Sequence, residues 1–146
     1  MTPDPRDNGK EGELTSVLDV SMPANSNAIA ATADTITETL GQLGVPEEKQ
    51  LEIQLAVQEA LANAVVHGCK NDSSKQVRCR VKRNAACAIV ITITDPGPGF
   101  SPSYLPDPRS AQQLQEGHGR GVFLIRQLMD EVSFESGGNQ ITMWKY

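Results

Sequence analysis

Residues 76–94 read QVRCRVKRNAACAIVITIT. The first eight alternate, with Val77, Cys79 and Val81 on one side and Arg78, Arg80 and Lys82 on the other. A period of two with one apolar and one charged face marks a half-exposed strand of an antiparallel sheet. Asn84-Ala85 supplies a turn, and the β-branched run from Ala86 to Thr94, with Ile89, Val90, Ile91 and Ile93, predicts a strand central in the sheet.

Working outward, Leu14 to Met22 has strand character and Pro23 ends it. Asn25 or Ser26 can cap a helix whose apolar positions include Ile29, Ala33, Ile36, Leu40 and Leu43. Gly44 stops that helix, and Pro46 fits the first turn of the next, which runs to about Val66. Glu47 and Glu48 suit its positive end. From Leu51 onward it is apolar almost all round, which predicts burial on most sides, and Gly68 ends it. Downstream, residues 95–121 are rich in glycine and proline, and a loop that long inside a compact domain is usually functional. Val122 to Met129 is helical in pattern, and Val132 to Glu135 and Gln140 to Lys145 flank a hairpin turn at Gly137-Gly138-Asn139. The order β-α-α-β-β-loop-α-β-β predicts an α+β fold. It is a two-layer sandwich with helices on one face of a mainly antiparallel sheet.

The 146 residues suit one domain, read as 14–146 behind a disordered tail at 1–13. Hydrophobic content is 38%, but aromatics are only 4%, so the core must be aliphatic. The net charge of −5 argues against a nucleic-acid partner, which would recruit surplus Lys and Arg. No apolar run is long enough to span a membrane, and the tail has no leader-like segment, so the expected setting is the cytoplasm. Cys69, Cys79 and Cys87 lack metal or disulfide spacing and read as buried or half-buried thiols.

Three features carry chemistry. Glu59, Asn63 and His67 are spaced i, i+4, i+8 and form one stripe on an otherwise apolar helix. A buried carboxylate and amide are costly unless paired or lining a wet cavity. They therefore read either as an internal hydrogen-bond network or as a base and an oxygen ligand at a pocket wall. Asp95-Pro-Gly97-Pro-Gly99-Phe100 follows the central strand, and its two glycines allow a ligand close to the backbone. Gly117-His118-Gly119-Arg120-Gly121 precedes a helix, where free N–H groups and the helix dipole favour phosphate. No Gly-Lys-Ser/Thr follows, so it is not a Walker A loop.

In this order the three features resemble the N, G1 and G2 boxes of the GHKL ATPases, and Glu59-Ala-Leu-Ala-Asn63-Ala-Val-Val-His67-Gly68 is most similar to the anti-sigma-factor serine kinases. The resemblance implies the Bergerat ATP-binding fold, with ATP and Mg²⁺ as cofactors. It implies that Glu59 is the catalytic base, Asn63 the Mg²⁺ ligand and Asp95 the acceptor for the adenine amino group. Gly97 and Gly99 would let the nucleotide lie close. Gly117, Gly119 and Gly121, with Arg120, would wrap the phosphates, under a lid at residues 101–118. The implied partners are an anti-sigma-factor antagonist, phosphorylated on serine or threonine, and a sigma factor. A homodimer through the first helix or first strand is also implied. Two positions depart from the pattern. Gly138-Asn139-Gln140 stands where relatives often carry Gly-Thr, and Gly117 stands where kinases often place an arginine, a role open to Arg120, His118 or Arg109. The competing reading is a nucleotide-dependent binding module without kinase activity. A histidine-kinase catalytic domain ranks third, because no dimerisation helix pair with a phosphoacceptor histidine precedes the motifs.

Overall fold

The hairpin at residues 76–94 forms the middle of the molecule. In the computed structural model, which describes residues 12–97, 118–135 and 139–146 and only the backbone of 118–120, strand β2 (Gln76–Arg83) pairs antiparallel with β3 (Ile89–Thr94). The link is longer than the sequence suggested. Ala86 to Ala88 belong to the turn, where Cys87 sits at φ +66° and the buried Asn84 side chain accepts the Ala88 N–H at 2.9 Å. A side chain that replaces the backbone ladder in this way ends the strand early.

Strand β1 (Thr15–Pro23) pairs with β2, with a register shift between Ser16 and Leu18. On the other side β5 (Gln140–Lys145) pairs with β3, and β4 (Glu131–Glu135) with β5. The sheet is wholly antiparallel in the order β1-β2-β3-β5-β4. The predicted hairpin turn at residues 137–138 lies outside the described residues.

Asn25 is the cap chosen by the structure: its side chain accepts the Asn27 N–H at 2.8 Å and opens a 3₁₀ turn, Ser26–Ala28, that feeds α1 (Ile29–Gln42). Gly44, at φ +80°, makes the left-handed exit that a side chain would resist. Pro46 is the cap of α2 (Glu47–Asn63) rather than a residue of its first turn. Helix α3 (His118–Leu128) begins four residues earlier than the sequence pattern indicated, inside the glycine box.

The helices and one face of the sheet enclose an aliphatic core that includes Ile36, Leu40, Ile53, Leu61, Val81, Ile91, Ile125 and Met143. Helix α2 is less buried than its composition implied. Leu51 is 57% exposed, Leu55 41%, and Val66, just past its end, 42%, because one flank of α2 faces away from both α1 and the sheet. Lys145 is the pin between layers. Its ammonium, buried on β5, donates to Glu52 Oε2 of α2 at 2.7 Å and to the Leu128 carbonyl of α3 at 2.5 Å. A buried charge needs such partners, and meeting them ties both helices to the last strand.

Cys69 and Cys79 are buried, as expected, and burial pushes the Cys79 thiol up to about 12. Cys87 departs from expectation by being exposed, carried outward by its turn. Among the described residues no helix is long and apolar enough to cross a membrane.

Candidate nucleotide site

Helix α2 ends in a π-turn, Ala64–Gly68, closed by the Cys69 N–H to the Ala64 carbonyl at 2.8 Å, five residues back. Wide turns of this kind cluster at functional sites, because they re-aim the chain without ending the helix. Here the turn brings Gly68 against Asp95 at the end of β3. A Cβ on Gly68 would overlap the Asp95 carboxylate, and one on Gly97 would overlap the Gly68 carbonyl and lie 2.8 Å from Asp95 Oδ1. The two glycines make the slot in which the carboxylate lies. Sequence reading took Gly68 only as a helix stop; its place as the last residue of the N box is the signal that marked it.

Asp95 is held from three sides. Its N–H donates to the Asn139 carbonyl at 3.0 Å, its carbonyl accepts the Asn139 side-chain N–H at 3.0 Å, and its Oδ1 accepts the Gly97 N–H at 2.8 Å. Burial pushes its pKa above the usual carboxylate value, and the Gly97 N–H and the Lys75 charge pull it part of the way back. A half-buried carboxylate with one oxygen committed to the backbone is suited to accept a hydrogen bond from a ligand.

Glu59 and Asn63 lie in the last turns of α2, facing the first turn of α3. A Cβ on Gly121 would sit 3.2 Å from Glu59 Oε2, 3.2 Å from Asn63 Nδ2 and 3.4 Å from Asn63 Oδ1. A side chain at Gly121 would thus crowd the carboxylate and amide, and the glycine leaves the space beside them open. His67 leaves the stripe: the π-turn breaks the i+4 spacing, and its side chain is exposed.

The structure therefore brings Glu59, Asn63 and Gly121 together at one end of the π-turn and Asp95 and Gly97 at Gly68. Gly119 and Arg120 lie in the first turn of α3. Gly99, Gly117, Arg109 and most of the expected lid lie outside the described residues. Among the described residues no cluster of three His, Cys, Asp or Glu side chains could hold a metal. The oxygens of Glu59 and Asn63 around the Gly121 cradle fit a hard cation completed by phosphate and water, as Mg²⁺ prefers.

A five-stranded antiparallel sheet backed by helices, with these three boxes around one helix end, defines a histidine kinase-like ATPase domain. The chain belongs to that family, whose profile matches residues 22–145. It is 30% identical over 137 residues to the serine-protein kinase RsbW of Staphylococcus epidermidis, covering 88% of this chain and 86% of the relative. It is 28% identical over 138 residues to RsbW of Bacillus subtilis, covering 88% and 84%. A solved structure of the RsbU and RsbW domains of a Mycobacterium tuberculosis protein superposes with a TM-score of 0.62 at 19% identity, over 88% of this chain and 31% of that longer one. The histidine kinase domain of a blue-light activated kinase from Erythrobacter litoralis superposes at 0.52 and 17% identity, over 95% of this chain and 66% of that one. At those identities the two structures speak to the fold.

The Gly68 slot gives a direct test. Gly68→Ala should displace the Asp95 carboxylate, cost about 1–3 kcal/mol in unfolding free energy as overpacking, and weaken ADP binding beyond detection by calorimetry. Unchanged stability together with unchanged ADP affinity would show that the slot is not used.

Proposed function

We propose that this chain is an ATP-dependent serine/threonine protein kinase that acts as an anti-sigma factor and phosphorylates a small anti-sigma-factor antagonist. The observation that carries the reading is the approach of the Gly121 backbone to both Glu59 and Asn63. It sets a carboxylate base and an amide oxygen beside a helix N-terminus able to take phosphate. The kinase activity named for the RsbW relatives supports it.

Each residue then has a role. Asp95 accepts the adenine amino group, and Gly97 and Gly99 let the nucleotide lie against the backbone. Gly117, Gly119 and Gly121, with Arg120, surround the phosphates at the start of α3. Asn63 would hold Mg²⁺ through Oδ1, and the ion would supply charge neutralisation for the transferred phosphoryl group. Glu59 takes the proton of the attacking hydroxyl.

The test is transfer of label from γ-labelled ATP to serine or threonine of a purified single-domain antagonist from the same organism. Labelled antagonist is expected. Tight capture of the antagonist with bound ATP and no label would replace the kinase with a nucleotide-gated binding module.

The same reading includes a homodimer formed through α1 or through β1, the strand at one edge of the sheet. Light scattering at micromolar concentration should give twice the chain mass. A monomer would remove the dimer and leave the kinase reading standing.

A further inference from the structure

Alternation along β2 puts residues 77, 79, 81 and 83 on one face, and the first three are Val77, Cys79 and Val81 of the core. The fourth is Arg83, which ends that row with a guanidinium on the helix side of the sheet. Register extends the row across the sheet: Arg83 pairs with Ile89 of β3, and Ile89 with Lys145 of β5. The buried Ile89 thus lies between two cations. The start of α2 brings Lys49 and Ile53 to the same place. With Val45 of the α1–α2 link, these residues line a cavity of about 120 Å³.

The charges around the cavity are all of one sign. Lys49, Arg83 and Lys145 line it, and no aspartate or glutamate does. Like charges gathered over an apolar floor repel one another unless each finds a counter-group. Lys145 has Glu52 and the Leu128 carbonyl, and the Lys49 ammonium donates to the Tyr146 main-chain oxygen at 2.6 Å. Arg83 forms no ion pair among the described residues. A guanidinium is a planar fork of N–H donors that matches the two oxygens of a carboxylate, and an ammonium with one partner keeps donors to spare.

We propose that this cavity binds a small organic anion, a carboxylate on an apolar body. The carboxylate lies on the Arg83 fork beside Lys49, and the body lies against Val45, Ile53 and Ile89. The volume sets the size of the body: a cavity of ~150 Å³ with aliphatic walls holds benzene, so one ring or a short branched chain is the limit here. Inorganic phosphate would meet Arg83 but leave the apolar floor uncovered. The site is separate from the nucleotide site. Asp95 lies past the far end of β3, ~20 Å from Ile89 at the rise of a strand, so the inference stands apart from the ATP reading.

The experiment uses benzoate as the probe, benzamide as its neutral counterpart and inorganic phosphate as an anion without an apolar body. Titrations are followed by the methyl NMR signals of Ile53 and Ile89. Benzoate should bind at ~1 mM, ordinary for a ligand of its size, and benzamide about tenfold more weakly or worse. Arg83→Gln should weaken benzoate about 10–100-fold, the worth of a hydrogen bond to a charged group, and leave benzamide unchanged. Arg83→Lys keeps the charge and loses the fork, so it should fall between, and it keeps the test readable if the glutamine variant does not fold. ADP affinity should be the same in wild type and both variants. No shift at tens of millimolar benzoate, equal affinity for benzoate and benzamide, or benzoate binding untouched by both substitutions would each overturn the proposal. So would phosphate binding as tightly as benzoate. A wild type that takes benzoate and no ADP would overturn the ATP reading and leave this site standing.

Discussion

Glu59→Gln is expected to bind ATP within about tenfold of wild type, or ~1.4 kcal/mol, and to transfer phosphate about 10²–10⁴ times more slowly. The substitution keeps the shape of the side chain, so the 3.2 Å clearance from Oε2 to a Cβ position at Gly121 is preserved and the glycine backbone need not move. The nucleotide contacts proposed for Asp95 and Gly97 lie beyond the π-turn and should not feel the change. What is lost is the proposed base, the group that would take a proton while the hydroxyl attacks, and a positioned base acts in the transition state rather than in binding. Calorimetry with ATP, paired with label transfer to the antagonist, separates the two effects. Equal transfer rates in wild type and variant would show that Glu59 is not the base.

Asp95→Asn should act with opposite signs on affinity and stability. Replacing a charged acceptor by a neutral one costs a hydrogen bond worth about 1.5–3 kcal/mol, so ADP affinity should fall about tenfold to a hundredfold. Without nucleotide, however, the carboxylate is a liability: burial raises its pKa above the unfolded value. A carboxyl raised in this way favours the folded state fully below its unfolded pKa, and that contribution is lost as pH rises through the folded pKa. The neutral variant carries no such loss. It should melt higher than wild type at neutral pH, and the difference should narrow on acidification into the carboxylate range. Unchanged ADP affinity would end the assignment of Asp95 to the adenine site.

The parts of the fold legible in sequence were those governed by period and punctuation. The alternation of Val77, Cys79 and Val81 set β2 and its facing, and Gly44 set the break between α1 and α2. Burial of α2 was less legible, because Leu51, Leu55 and Val66 are the same residue types whether a neighbour covers them or not. The turn at Ala86 to Ala88 was missed because the β-branched run begins only at Ile89, while the Asn84 cap that closes the turn depends on a three-dimensional contact. At the site, Glu59 and Asn63 were readable from one helical turn of spacing. Asp95, Gly97 and Gly121 stood out by type and place. Gly68 was read only as a helix stop and Asn139 only as a departure from Gly-Thr, since each acts through a partner far along the chain: Gly68 by lacking a side chain where Asp95 lies, Asn139 by the amide that donates to the Asp95 carbonyl.

The wide turn at Ala64–Gly68 ties the site to a count of residues as well as to their identities. An α-helix advances about 100° per residue. Deleting one residue there, such as the outward-facing Val66, would let the helix close in the ordinary way and swing everything after it by about that angle. Gly68 would leave the Asp95 slot although every side chain named above was still present. This stretch should tolerate many exchanges of residue and no change of length.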